Sequence, residues 1–592
     1  MKLCIAEKPS VARDIAKVIG ANKSANGYLE GNGYFVSWVF GHLCALKDPE
    51  DYDALWKNWR LEDLPILPEK FGIKLRKDSG VQKQFSIIQE LLEKSTEVIN
   101  CGDAGQEGEL IQRWLLLKAK CTLPVKRLWI SSLTEESIKN GFNSLRDAKD
   151  FDRLFSAGNA RAVGDWMLGI NGTRLFTKKF ARDKSVLSVG RVQTPTLAMI
   201  VQRQEEINAF KVEIYWELKT IYRETEFTCQ ISRLKNLEKA QKGLEYIEGK
   251  LFEITDFEQK ETKEGNPKLY DLTSLQVDAN SYYGKSADQT LKTAQSLYEK
   301  KLITYPRVDT NYLSEDLHPK IHSILTRLTD YQKHVEPLVT KPIPKLPSVF
   351  DDKKITDHHA IIPTGIIANN LSQEESKVFD LICRRFIAVF YPSCTNSSTV
   401  VLGKIDELLF KASGKQEIDP GWKVVYKGFQ GQKKTKNVKE EHRMPIFVIG
   451  ESGPHQPLIH EGRTSPPKPY TEASLLRAME TAGKFVEDEE LKEAMKDNGI
   501  GRPSTRASII ETLFRRKYID KKRKNLFPTE NGIRLIGLIQ NELLKSPELT
   551  GQWESRLRQI EKGQFSGKEF IQDLSIMVRE LVDDVLFNRN PN

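Results

Sequence analysis

Hydrophobic positions in the first 150 residues fall into two alternating patterns. Short apolar runs, "KLCIA", "EVIN" and "VKRLWI", predict strands. Each is followed by a polar loop and then by helical spacing, in "VARDIAKVI", "LIQRWLLLKAK" and the helix start "SSLTEESI". Repeated strand–loop–helix units predict a parallel sheet with helices on its faces. Ligands of such sheets bind beyond the carboxyl ends of the strands. Glu7 and Asp103 both follow predicted strands, so two acids distant in sequence are expected at one site.

Beyond this region the pattern changes three times. Residues 151–210 read as helical and carry Arg161, Arg174 and Arg191. Residues 215–275 turn β-rich ("IYWELKTIYRETEFTCQI"). Residues 276–400 read as helical, broken by the Pro-rich loop "VEPLVTKPIPKLPSVF". β-like segments return near 400–450. A second Pro-rich stretch, "GPHQPLIHEGRTSPPKPYTE", marks a boundary before the final helices. The return of β segments after a helical insert predicts one domain built from two pieces of chain.

Composition narrows the class. With 592 residues, 39% hydrophobic and 29% charged, the chain reads as a soluble multidomain protein. No apolar run reaches the ~18 residues of a membrane span. Glu7 and Lys8 interrupt what would be the apolar core of a signal peptide. The seven cysteines form no C-x-x-C pair, which predicts neither a zinc ribbon nor a disulfide framework and suits a reducing cytoplasm. A net charge of +9 permits a polyanionic partner without requiring one.

Five segments carry candidate chemistry. "INCGDAGQEGELIQRW" sets Asp103, Glu107 and Glu109 around Gly105 and Gly108; it reads either as a metal-binding loop or as acids favouring a helix N-terminus. "TYPRVDT" offers Tyr305 as a nucleophile, with Arg307 placed to stabilise phosphate or phenolate charge; a phenol needs such help at neutral pH. "SVGRVQTPTL" (Ser188, Val189, Gly190, Arg191, Val192, Gln193 onward) and "GIGRPST", with Arg502 and Ser504, each read as an anion-binding loop entering a helix or as an ordinary capped helix. His358 and His359 are adjacent and cannot share a helix face, so they do not predict a two-histidine metal site; one of them reads either as a phosphate contact or as a satisfied structural histidine. "ANSYYGKS" misses the nucleotide-binding P-loop because Ala279 stands at its first glycine.

Together these segments resemble the type IA DNA topoisomerases, on the topoisomerase III branch. "AEKPSVA" is similar to the opening of their Toprim domain and "DAGQEGE" to its D-x-D-x-E-G-E motif. "ARAVGDWMLGINGTRLFT", "SVGRVQTPTL", "TYPRVDT", "HHAIIPT", "YTEASLLRAME" and "GIGRPST" follow in the family's order across nearly the whole chain. The resemblance implies a torus: a Toprim domain (1–150), a helical DNA-binding domain in two parts (151–214 and 466–592), a β-rich arch in two parts (215–278 and 399–465), and a helical domain carrying the tyrosine (279–398). It implies that Tyr305 attacks single-stranded DNA, leaving a 5′-phosphotyrosine and a free 3′-hydroxyl, without ATP. Lys8 and Arg307 would stabilise phosphate charge, and Glu7 would donate a proton or bind metal. His42, Arg161, Asp165, Arg174, the 188–193 loop, His359, Arg502 and Ser504 would line the DNA path.

The chain departs from the family at the acidic loop. Gly105 stands where a middle acid is usual, and Gln106 where arginine is usual. Glu7, Asp103 and Glu107 are then the expected Mg²⁺ ligands, with water filling the gap. The sequence carries no zinc-ribbon cysteines after its last motif. Expected partners are single-stranded regions of DNA, with room for a helicase or single-strand-binding protein; a cytoplasmic monomer is expected. Two rivals stand beside this reading: a Toprim nuclease or primase, and a disabled relative acting as a single-strand-binding accessory protein in DNA transfer or recombination.

Overall fold

The computed structural model describes all residues except 183–184, 232, 356–357, 430–443, 487, 496–498 and 588–592. Its N-terminal sheet has seven strands in the spatial order Lys23–Ala25, Tyr28–Gly31, Tyr34–Trp38, Lys2–Ala6, Glu97–Cys101, Val125–Arg127, Arg146–Asp147. The four strands from Tyr34–Trp38 to Val125–Arg127 are parallel, and the edges are antiparallel. Successive side chains of a strand face opposite ways. Leu3 and Ile5 accordingly join one core with Val98 and Leu115, while Cys4 and Ala6 join another with Ile15 and Ile99. Each large apolar side chain so buried contributes about 1.5–3 kcal/mol. Ala6 pairs with Cys101, so Glu7 and the Gly102–Asp103 turn leave the sheet side by side.

A second seven-stranded sheet is antiparallel throughout. Its order is Ser452–Gly453, Phe252–Glu264, Cys394–Ile405, Leu408–Asp419, Thr225–Cys229, Ile214–Tyr222, Gln456–Arg463. Strands from before and after the helical insert thus interleave in one discontinuous arch. Gln456–Arg463 lies inside the second Pro-rich stretch. It pairs on one side only, and an edge strand tolerates Pro457.

The insert packs helices Leu272–Tyr283, Ala287–Glu299 and Gln373–Ala388 around their own core. Part of the expected Pro-rich loop is here a helix, Gln332–Val339, with Pro337 inside it. Burial of Val335 in that core outweighs the local cost of the proline. The near P-loop is a helix–turn–helix: Gly284, at φ 72°, ends one helix, and Ser286 caps the next. A third core joins helix Asp152–Phe180 and helix Gln193–Ala209 to the C-terminal helices Glu548–Lys562 and Gly567–Phe587. The architecture is a Toprim-type sheet domain, helical domains and a curled, discontinuous sheet, arranged as a torus. No helix among the described residues is long and apolar enough to cross a membrane.

Candidate active site

The two strand ends set the site. The Asp103 N–H lies 3.3 Å from Glu7 Oε2. Lys8 Nζ stands 2.5 Å from Asp103 Oδ2 and 3.5 Å from Glu7 Oε1. From the helical insert, His358 Nε2 comes within 3.0 Å of the same Asp103 oxygen, and the Tyr305 ring packs 4.7 Å from the His358 ring. Lys8 Nζ lies 3.8 Å from the Tyr305 ring centroid. Arg307 is exposed and shares a cavity of about 370 Å³ with Glu7, Asp103, Glu107, Tyr305 and Ser504.

The acidic loop is braced from below. Arg127 is buried; it donates to the carbonyls of Gly102 and Asp103 at 2.6 Å each and pairs with the buried Glu109 at 3.0 Å. Glu109 also pairs with Arg113 at 2.8 Å, so this third acid of the motif is structural. Gly108 lets the helix approach the loop: a Cβ there would meet the Asp103 carbonyl oxygen at 2.3 Å. Gly105 is the N-cap, at φ −164° and ψ 175°, an extended conformation open to any residue.

Charge is strongly polarised. Burial pushes Asp103 up, but His358 and Lys8 outweigh it and hold the carboxylate well below its usual range. Burial, reinforced by the neighbouring Asp103 charge, raises Glu7. Burial lowers Lys8, yet Asp103, Glu7 and Tyr305 more than offset it, so the ammonium is held firmly protonated. Burial raises the Tyr305 phenol, opposed by Lys8.

The three carboxylates expected as metal ligands are not gathered into one set among the described residues. Glu107 Oε1 is 2.6 Å from His42 Nε2, and no three His, Cys, Asp or Glu side chains among the described residues meet in metal-holding geometry. Glu7 and Asp103 do meet, and Glu107 lines the same cavity. Two carboxylates beside an open cavity suit Mg²⁺, which keeps much of its water shell.

A second cluster adjoins the first around a cavity of about 760 Å³. Arg161 makes a two-pronged bond to Glu554, at 2.6 and 2.7 Å. Arg191 bonds Asp165 at 2.9 Å and reaches Glu554 at 3.3 Å. Arg161, Arg191 and Glu554 are all largely buried; burial raises Glu554, but the two arginines bring it down to about 2. His42, Gly190, Val192, Gln193 and Arg502 line the same cavity.

Four expected DNA-path residues are not part of that lining. The buried Ser188 N–H donates to the Tyr518 hydroxyl at 2.8 Å, and Ser188 Oγ accepts from Gln193 at 2.7 Å. Val189 is buried against Gly172. Arg174 is buried, donating to the Trp56 carbonyl at 2.6 Å and facing the Trp59 ring at 5.3 Å. His359 turns its Nδ1 to the Ala360 carbonyl at 2.9 Å, and burial brings it down to about 4. It lines a separate cavity of about 570 Å³ that Tyr305 also borders. Sequence reasoning missed Glu554 and Arg127, and it marked the His358–His359 pair without foreseeing the contact of His358 with Asp103; "QWESRLRQIEK" holds Glu554 on an ordinary amphipathic helix with no local mark.

The sequence pattern of the family described as DNA topoisomerase matches residues 149–572, and that of the Toprim domain matches residues 2–133. DNA topoisomerase 3 of Bacillus cereus (strain ATCC 14579) is 40% identical over 598 residues, covering 98% of this chain and 81% of that protein. DNA topoisomerase 3 of Bacillus subtilis (strain 168) is 38% identical over 597 residues, with the same coverage. Full-length topoisomerase I from Thermotoga maritima superposes with a TM-score of 0.70 at 23% identity, over 98% of this chain and 90% of that one, a likeness of fold.

Proposed function

Since this chain belongs to the type IA DNA topoisomerases, on the topoisomerase III branch, we propose that its strand breakage and rejoining run through Tyr305, Lys8, Glu7 and Arg307. The observation that carries this reading is the Lys8 ammonium lying between the Tyr305 ring and Asp103, joining a nucleophile from the insert to acids of the sheet domain. Tyr305 attacks a backbone phosphorus, and its phenol proton passes to bulk water. Lys8 stabilises the oxygen as it becomes anionic, and the exposed Arg307 meets the phosphate oxygens. The P–O3′ bond breaks, and Glu7, whose proton affinity burial and the Asp103 charge raise, gives its proton to the leaving oxygen. Religation reverses each transfer. The phosphotyrosine link conserves the bond energy, so no nucleotide is consumed.

Asp103 and Glu107, joined by Glu7 when its carboxyl is ionised, are the residues that would hold Mg²⁺, which would supply positive charge to the phosphate. The DNA path runs from the Tyr305 cavity along Arg502 and Ser504 to Arg161 and Arg191, with contacts to the backbone of a single strand. Ser188, Val189 and Arg174 then serve by shaping that path from behind. The chemistry calls for an exposed single strand in the cytoplasm, hence for a helicase or single-strand-binding protein to expose it; a monomer holds every side chain it requires. The domain division at about 150, 214, 278, 398 and 465 belongs to this reading. A disabled accessory protein is not favoured, because Tyr305, Lys8, Glu7 and Asp103 are assembled despite Gly105.

Relaxation of negatively supercoiled plasmid across a Mg²⁺ series including EDTA tests the reading. Stepwise relaxation that requires Mg²⁺ is expected. Relaxation at full rate in EDTA would remove the metal from the account.

A further inference from the structure

The acidic loop and the arginine cluster meet at one side chain for which neither role accounts. Gln106 opens the helix Gln106–Lys118 and is 7% exposed. Its carbonyl oxygen accepts from Arg161 Nε at 2.9 Å and from Arg502 Nη2 at 2.7 Å, and its amide donates to Glu561 Oε1 at 2.9 Å. Four stretches of chain converge on this one amide: the acidic-loop helix, helix Asp152–Phe180, the residue that caps helix Pro503–Arg515, and helix Glu548–Lys562. Gly158 makes room for it, since a Cβ there would stand 3.1 Å from Gln106 Cγ.

An uncharged acceptor suits the two arginines that converge here. Arg161 already gives two N–H groups to Glu554. A carboxylate at 106 would cancel charge that the two arginines offer to a phosphate. An arginine there would set a third cation against two others. A carboxamide oxygen has two lone pairs, accepts from both guanidiniums and leaves their net charge intact.

We propose that Gln106 is a positioning residue for DNA: it aims the Arg161 and Arg502 guanidiniums at one point, so that both engage a backbone phosphate of the bound strand. This rests on the reading of those arginines as DNA contacts.

The test is single-stranded oligonucleotide binding, by fluorescence anisotropy over a salt series, for the wild type, Gln106→Met, Gln106→Glu, Arg161→Ala and Arg502→Ala. Each arginine variant should flatten the log–log salt slope by no more than about 0.7, the share of the one phosphate that the two engage. Gln106→Met keeps the length and loses the acceptor. It should bind about tenfold more weakly, with a flatter slope. In adduct formation the loss should fall on KM and not on kcat. Should Gln106→Met melt early, Gln106→Glu carries the test: it retains the acceptor and should bind more weakly through charge alone. Wild-type affinity and slope in both Gln106 variants, beside losses in the arginine variants, would overturn the proposal and leave the DNA path standing. A loss of kcat with intact binding would overturn it too, placing Gln106 in service of the acidic loop. Unchanged binding in both arginine variants would overturn the proposal together with the path it rests on.

Discussion

The Lys8 ammonium sits 3.8 Å from the centroid of the Tyr305 ring, bringing a cation from the first strand–helix turn of the sheet domain onto a tyrosine of the helical insert. Asp103, 2.5 Å from Lys8 on its other side, keeps that cation charged and in place. Tyr305 is raised by burial, and Lys8 is the group that opposes the rise.

Lys8→Met should therefore slow formation of the Tyr305 adduct by about 10²–10³-fold, the range for removing one preorganised charge-stabilising group. Single-turnover cleavage of a labelled oligonucleotide measures it. A loss under threefold would show that Arg307 or bound metal carries the charge instead.

Glu7 predicts a pH limb. Its folded pKa is raised, so its proton is present at low pH and lost as pH rises through a value above the ordinary 4.5. Cleavage should show a falling limb there, and Glu7→Gln should be slow and lack it. The same sign governs stability: what this carboxyl contributes is present below 4.5 and lost as pH rises, so Glu7→Gln should melt higher than the wild type at neutral pH. A pH profile of Glu7→Gln parallel to the wild type would contradict the assignment.

Glu554 has the opposite sign. Its folded pKa of about 2 lies below the ordinary 4.5, so its stabilisation is present above 4.5 and drains away as pH falls towards 2. The shift corresponds to about 3 kcal/mol. Glu554→Gln should lower the melting temperature at pH 7 and flatten its dependence between pH 5 and 3. An unchanged melting temperature at pH 7 would show that the two arginines need no buried partner.

Gly105→Asp should fold, because the N-cap backbone is extended and aspartate is a favoured N-cap residue. By adding a carboxylate beside Asp103 it should tighten Mg²⁺ binding several-fold and lower the Mg²⁺ needed for relaxation. Calorimetric titration gives the affinity directly. Unchanged affinity would place the metal away from the loop.

Much of this was legible in the sequence. The strands Lys2–Ala6 and Glu97–Cys101 announce themselves as short apolar runs, and the turn after each carries an acid, so the meeting of Glu7 and Asp103 could be foreseen. The strand Tyr34–Trp38, which lies between the Lys2–Ala6 strand and the sheet's edge, could not: it is five residues long, follows a turn at Gly33, and owes its place to burial of Phe35 and Val36. Helix Gln332–Val339 defeated the proline rule because Val335 is buried by tertiary packing. At the site, sequence order put forward Tyr305, Arg307 and Arg502 as candidates, but partners across long separations left no local trace. Glu554 joins Arg161 across 393 positions, and Arg127 supports the acidic loop through backbone carbonyls that carry no residue identity. The role of His358 depends on a contact with Asp103 that only the docking of two domains creates.

The central claim is that Tyr305 breaks the strand and keeps its 5′-phosphate. Incubating wild type and Tyr305→Phe with a single-stranded oligonucleotide, labelled in separate reactions at its 5′ and 3′ ends, tests this most directly after denaturation. The account predicts that only the 3′-end label becomes attached to wild-type protein, and that Tyr305→Phe, still able to bind the oligonucleotide, captures neither. Transfer of the 5′-end label, or an adduct that survives in Tyr305→Phe, would contradict it.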